Sequence, residues 1–368
     1  YTMSGLKIPF TGIQKQYNNL RDQVLDAVDI VLRSGRLMDG NYTQEFESWL
    51  AKKNNSKYAT TVHSGTNALE AIAGYYYRIF NLDRPKVIIP NLTFRATANA
   101  WLRSGWDIVV ADTDQFGMLD IQSVEKYHYD TLVVCLVGLH GNSLKDFQTQ
   151  KFMDLVAEHN WIIVEDAAQH WLSWDSNRIG PSAISFDPMK NLGNYGNGGA
   201  IVTNEESIYE YAQNFKAHGK AGKPFGIGGS NSRMSEVDCA TMLIKTKYID
   251  EWQERRREIG LYWMERLRES PVRSLIDSSN CTEHCFHKFV IEVDDRDSVR
   301  NCLTEADIET KIHYEHGISE LYECAGIKPM LSASTSLSRR TLSLPIYPEL
   351  TDLEVEYTID QVLRCIYT

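Results

Sequence analysis

Residues 20–33, LRDQVLDAVDIVLR, place Leu20, Val24, Ala27, Val28, Val31 and Leu32 at helical spacing, and the Ser-Gly pair at 34 and 35 ends the pattern. A second amphipathic stretch covers residues 43–53. Short apolar runs then alternate with helical ones: VIIP from 87, IVVAD from 108, TLVVCLVG from 131, WIIVED from 161, AISF from 183 and GAIVTN from 199. Runs of that length, separated by helix-forming segments, predict a mostly parallel sheet covered by helices, an α/β fold. Residues 236–270 form a long helical stretch in which Val237, Ala240, Leu243, Ile244 and Ile249 mark a buried face. Beyond it, FHKFVIEVDD, LTEADIETKIHY and YTIDQVLRCIYT read as strand, helix-to-strand and helix, the make-up of a smaller α+β unit. The pattern predicts a large domain over 1–255, including an N-terminal lead-in, and a small C-terminal domain over 256–368, with a cleft between them.

At 368 residues and 43% hydrophobic, the chain is long enough to bury a large core. A net charge of -11, with no Lys/Arg-rich block, speaks against nucleic acid as a partner. No apolar run reaches the roughly 20 residues a bilayer span needs, and the N-terminal residues do not have the make-up of a secretory signal. The expectation is a cytoplasmic protein with no membrane partner. The seven cysteines are an odd number and do not form a disulfide framework in a chain of this size, so reduced thiols are expected. In CTEHCFH, residues Cys281, His284, Cys285 and His287 could supply metal ligands. No second half-site accompanies them, and the segment runs into a strand-like stretch whose neighbouring side chains point to opposite faces, so no metal is assigned.

Three segments carry chemistry. VHSGTNAL leads small polar residues straight into a helical pattern, so the amides of Gly65 and Thr66 would sit at a helix N-terminus and could hold an anion; Ser64 or Thr66 acting as a simple N-cap explains the same pattern. WIIVEDAAQ ends an apolar run on Glu165 and Asp166, where the carboxyl edge of a parallel sheet presents side chains to a ligand. SFDPMKNLGNYGNGGA puts Lys190 after another such run and before a glycine-rich connection. The lysine precedes the glycines, so this is not a nucleotide P-loop, and it does not match GxGxxG entering a helix. A carboxylate, a lysine and a phosphate cradle are thereby predicted to share one sheet edge.

HSGTNAL, PNLTFRATANA, VEDAAQ, SFDPMKNLGNYGNGGAIVTN, NSRMSEVDCA and IHY occur in the order found in the DegT/DnrJ/EryC1/StrS family of sugar aminotransferases, which most of the chain resembles. The resemblance implies a fold type I transferase using pyridoxal 5'-phosphate, working as a homodimer with shared active sites. It makes Lys190 the Schiff-base lysine and Asp166 the partner of the cofactor's ring nitrogen. It makes Gly65, Thr66 and Ser185 phosphate ligands, stacks Phe94 on the ring, and sets Gln169 beside the ring oxygen. It sends Asn231 to the phosphate of the neighbouring subunit's cofactor, and places His313 and Tyr314 towards the sugar.

These roles make physical sense. A lysine amine can condense with an aldehyde and later move a proton. A carboxylate in contact with a ring nitrogen is worth about 4 kcal/mol at an effective dielectric near 20, roughly three pKa units. The implied reaction is amino transfer from L-glutamate to the carbonyl of a keto- or aldehydo-sugar for surface polysaccharide or lipopolysaccharide synthesis. The sugar is either nucleotide-linked or an oxidised Kdo, which would give 8-amino-3,8-dideoxy-octulosonate; the latter would be acidic and would call for a basic patch in the cleft. Related dehydratases carry histidine in place of the lysine, and a binding-only sensor would have no need of the Lys190 and Asp166 pair. The chain departs from the usual pattern at His170, at Ser232, at Asp187 to Met189 before the lysine, and after His313 and Tyr314.

Overall fold

The computed structural model describes residues 6–128, 130–173, 177–219, 228–279, 281–325 and 330–367. The large sheet comprises β1 (Tyr58–Val62), β2 (Lys86–Pro90), β3 (Asp107–Ala111), β4 (Thr131–Val137), β5 (Ile162–Asp166), β6 (Ser182–Ser185) and β7 (Gly199–Thr203), in the order β1-β7-β6-β5-β4-β2-β3. The pairs β2–β3, β2–β4, β4–β5 and β5–β6 are parallel, which bears out the mostly parallel α/β reading. β7 runs antiparallel to both β1 and β6. The connection between β6 and β7 is a run of turns that holds no helix, so no parallel crossover is made. β1, sequence YATTV, was not anticipated, because alanine and threonine give a weak apolar signal, yet four of its five residues are buried.

The first helix, α1 (Ile13–Ser34), starts ahead of the predicted pattern and stops at Gly35, whose φ of 66° lets its N–H reach Leu32 O. Leu20, Val24 and Val31 are buried, whereas Leu32 is 57% exposed. Adjacent helix positions are about 100° apart, so Val31 and Leu32 do not share a face. α2 (Asn41–Lys53) is held at its start by Glu236, which accepts N–H bonds from Gly40, Tyr42 and Thr43 at 2.9, 3.1 and 2.8 Å. α3 (Gly65–Phe80) and α4 (Arg95–Arg103) cover one face of the sheet. They enclose a core in which Trp101 and Trp106 meet edge to face at 5.0 Å.

The C-terminal part holds a three-stranded antiparallel sheet of β8 (Arg273–Ser274), β9 (Phe289–Glu292) and β10 (Thr341–Leu344), ordered β10-β9-β8. Helix Asp352–Ile366 and helix Arg296–Glu305 pack with it around Trp263, Phe289 and Ile359. Two expectations are corrected here. The end of LTEADIETKIHY forms no strand; it makes isolated bridges, Ile8 to Ile308 and Lys311 to Ser343. Cys302 and Cys365 are joined in a disulfide, contrary to the expectation of reduced thiols. Their helices lie side by side with the Cα atoms 5.8 Å apart, a proximity that their sequence separation of 63 conceals. Helix Ile249–Leu267 runs across position 255 and carries Ile259 and Trp263 into the C-terminal core. Among the described residues no helix is long and apolar enough to cross a membrane.

Candidate active site

The carboxyl ends of β4, β5 and β6 and the amino ends of α3, α4 and β7 converge on a cavity of about 330 Å³. Register explains the convergence: Val137 of β4 lies opposite Asp166 of β5, and Ser185 of β6 lies opposite Gly199 of β7. Gly65, Thr66, Phe94, Asp166, Gln169, Ser185, Lys190, His313 and Tyr314, all predicted from sequence, line this one cavity. Asn231 does not; it is exposed, in a backbone bridge with Ala217.

At one end stands the start of α3. Ser64 is its N-cap, accepting the Asn67 N–H at 3.1 Å, so the capping reading holds. The N–H groups of the first turn, Gly65 and Thr66 among them, have no acceptor within the helix and remain available to an anion. Ser185 closes this end, and a Cβ on Gly65 would stand 2.8 Å from the Ser185 Cβ. Gly199 is tighter still: a Cβ there would lie 2.3 Å from the Ser64 carbonyl carbon and 2.5 Å from the Gly65 nitrogen.

At the other end Asp166 is 5% exposed. Thr97 Oγ1 donates to its Oδ2 at 2.7 Å, and Ala168 N–H reaches Oδ1 at 3.3 Å. Thr97 spends its proton on the carboxylate, so the 2.9 Å contact between the two threonine hydroxyls is a bond donated by Thr93. Lys190 sits on a turn closed by its own N–H to Asp187 O at 2.8 Å. Burial lowers the Lys190 ammonium from its ordinary range, while Asp166 and Asp187 pull it back up. A lysine placed this way gives up its proton more easily than one in water.

The third wall is a relay of side chains. Gln169 accepts the His140 N–H at 2.7 Å and donates to the Tyr314 hydroxyl at 2.9 Å. Phe94, 52% exposed, meets the Tyr314 ring at 5.7 Å. His313 Nδ1 bonds Ser343 Oγ at 2.8 Å. His170, given no catalytic role from sequence, points away from the cavity: Gly138 N–H donates to its Nδ1 at 3.1 Å, which leaves Nε2 to donate to Glu165 at 3.2 Å. Burial works against the Glu165 carboxylate, and Arg178 and His170 hold it ionised below its ordinary range. Glu165 and Asp166 thus point to opposite sides of β5, one structural and one facing the cavity.

The Cys-His segment is committed elsewhere. Cys285 Sγ donates to Gln169 O at 3.1 Å, His287 Nδ1 meets Asn191 Oδ1 at 3.1 Å, and His284 Nδ1 accepts the Phe286 N–H at 2.9 Å. Among the described residues no group of three or more His, Cys, Asp or Glu is arranged to hold a metal ion.

Pyridoxal phosphate fits this donor set: amides at a helix start for its phosphate, a carboxylate for its ring nitrogen, an aromatic ring, and a lysine amine. The space at Gly65 that a Cβ would fill lies at the phosphate end. Sequence reasoning missed Thr97, although it lies within TFRAT, a segment the family resemblance had singled out. It also missed His140, buried with no hydrogen bond on either ring nitrogen among the described residues, for which no local signal existed.

Comparison with known proteins agrees with this geometry. The DegT/DnrJ/EryC1/StrS aminotransferase family profile matches residues 18–363. The chain is 30% identical to dTDP-3-amino-3,4,6-trideoxy-alpha-D-glucose transaminase of Streptomyces venezuelae, over 97% of this chain and 95% of that protein. It is likewise 30% identical to dTDP-3-amino-3,6-dideoxy-alpha-D-galactopyranose transaminase of Aneurinibacillus thermoaerophilus, covering 97% and 99%. Among solved structures, S. venezuelae DesV in complex with a ketimine intermediate superimposes with a TM-score of 0.89 at 28% identity, covering 98% of this chain and 99% of that one.

Two outcomes follow from the site's bonding. Thr97→Val keeps the shape and removes the donor to the buried Asp166, so kcat falls about tenfold or more, on the scale of a lost charge-assisted hydrogen bond, and stability falls by about 1–3 kcal/mol as the carboxylate is left short of a donor. Steady-state rates alongside denaturant unfolding measure both. Burial pushes His140 and His284 down to about 3 and His313 down to about 2, with Lys288 adding repulsion at His140 and His313. These folded-state values lie below the unfolded value of 6.5, so the unfolded chain takes up protons first as pH falls. Stability is therefore full above that value and is lost progressively as pH drops towards 3, with a slope approaching about 1.4 kcal/mol per pH unit for each ring. Urea unfolding across that range, for the wild type and for His284→Phe, reads the slope; the variant's is shallower.

Proposed function

The chain belongs to the DegT/DnrJ/EryC1/StrS aminotransferase family as a pyridoxal-phosphate-dependent sugar aminotransferase, and from that premise we propose that L-glutamate is its donor and a sugar carbonyl without a nucleotide its acceptor. The placement of Lys190 and Asp166 in one cavity with the open start of α3 supports this reading. When bound, pyridoxal phosphate supplies an electrophilic carbonyl and an electron sink. Gly65, Thr66 and Ser185 would hold its phosphate, and Phe94 would offer an aromatic face to its ring. Asp166, oriented by Thr97, would face the ring nitrogen and favour the protonated form there. Lys190 holds and moves the proton at its Nζ, an act made easier by its lowered basicity. Gln169 fixes Tyr314 beside the reacting groups.

The acceptor reading rests on charge. In a chain of net charge -11, Lys288 lines the cavity and Lys311 and Arg256 lie close by, a basic patch suited to an acidic sugar such as an oxidised Kdo. The product would serve surface polysaccharide or lipopolysaccharide synthesis in the cytoplasm. Asn231, exposed and outside the cavity, is assigned to the cofactor phosphate of a neighbouring subunit, which makes the working unit a homodimer with shared sites.

The visible absorption of the holoenzyme tests the chemistry. L-glutamate bleaches the cofactor band in the wild type, and Lys190→Ala slows that conversion by at least 10³-fold, on the scale of a lost nucleophile and proton carrier. A band indifferent to glutamate removes glutamate as the donor. Sedimentation of the active enzyme returns a dimer; an active monodisperse monomer removes the assignment of Asn231.

A further inference from the structure

Lys288 is 6% exposed and lines the cavity. Its backbone is fixed by an N–H bond to His140 O at 3.0 Å. Among the described residues no hydrogen-bond acceptor or carboxylate pairs with its Nζ, which instead sits 4.9 Å from the centroid of the Phe10 ring. Lys311 Nζ lies over the same ring at 5.0 Å, and its nearest polar contact is Met189 Sδ at 3.9 Å. The bridge between Lys311 and Ser343, N–H to O at 3.1 and 2.8 Å, fixes Lys311, and His313 approaches Phe10 at 5.8 Å. Two cations and a histidine therefore surround one buried ring. The carboxylates nearby are engaged elsewhere: Asp187 accepts the Met189 N–H at 2.9 Å, Glu309 the Phe10 N–H at 2.9 Å, and Glu349 the Gln16 side chain at 3.2 Å.

A buried ammonium without an anion is costly, and a neighbouring aromatic face offsets only part of that cost. We propose that Lys288 and Lys311 form an anion subsite that receives the carboxylate of a reactant and selects a sugar acid as the acceptor, an inference that rests on the aminotransferase reading above. The position favours the acceptor, because the subsite adjoins His313 and Tyr314, the residues that reading gives to the sugar. Burial, with Lys190, Arg256 and Lys311 adding repulsion, holds Lys288 well below the ordinary lysine range, and Asp187 opposes them. An arriving carboxylate supplies the missing countercharge and forms a charge-assisted hydrogen bond. A neutral sugar leaves the ammonium unpaired, so the same residues reject it.

Calorimetric titration of the holoenzyme with Kdo and with D-glucose, beside spectral titration with L-glutamate, tests this. Kdo binds more tightly than glucose, and Lys288→Met weakens Kdo by about 10- to 100-fold, the scale of one hydrogen bond to a charged group. Lys288→Arg restores most of the affinity, which a purely structural role would not allow. Lys311→Met, at a half-buried position, gives a smaller loss and keeps the test valid if Lys288→Met fails to fold. A loss confined to glutamate overturns the selection of a sugar acid, because the subsite then serves the donor's carboxylate. Affinities for both ligands unmoved by either Met variant, or Kdo held no better than glucose with glutamate unmoved, overturn the proposal. A wild type blind to glutamate whose Kdo binding still needs Lys288 would remove glutamate as the donor and leave the subsite standing.

Discussion

The amino end of α3 has to lie directly against the β6–β7 edge for the cavity to exist, and two positions without side chains permit it. Gly199 faces the Ser64 carbonyl and the Gly65 nitrogen at distances no Cβ could occupy, and Gly65 faces Ser185 in the same way. That backbone contact sets free helix amides beside the carboxyl edge where Asp166 and Lys190 emerge. With it, a sheet edge and a helix dipole act on the same ligand; without it, they would be two unrelated surfaces.

Charge in the cavity is arranged by what each group is allowed to touch. Asp166 is buried and anchored, with Thr97 donating to it. Lys190 is shielded from water, which favours its neutral form, yet lies close enough to Asp166 and Asp187 to keep basic character. The nearby imidazoles, His140, His284 and His313, are held neutral by burial, with lysines adding repulsion at His140 and His313. The outcome is a local excess of basic groups inside a protein whose overall charge is strongly negative. Screening is weak in such an enclosed place, so local arrangement outweighs net charge in deciding which ligand is favoured.

Adjacent residues divide their duties by strand geometry. Asp166 faces the cavity while Glu165 closes a buried ion pair with Arg178, at 3.1 Å, and His170. That pair fixes the segment following β5, and Gln169, one residue before His170, is thereby held in place to bond Tyr314. His170 looks like a displaced catalytic histidine in the sequence but is part of the scaffold.

The alternation of apolar runs, the glycines around Lys190 and the small polar start of α3 were legible because each reflects a local requirement: strand period, backbone approach, helix capping. They gave the fold class and picked out Gly65, Thr66, Asp166 and Lys190, and the family resemblance added Phe94, Gln169, Ser185, His313 and Tyr314, all of which line the cavity. The antiparallel entry of β7, the Cys302–Cys365 pairing and the loss of the strand at 308–314 were not legible, since each depends on which distant segment becomes a neighbour. Lys288 makes the same point: in sequence it is one charged residue at the start of an apolar strand. The sequence by itself determined which chemistry was possible, through residue types at local spacing. Only the tertiary structure decided which charges find partners, because burial and pairing are properties of neighbours brought from Phe10, His140 and Lys311, far along the chain.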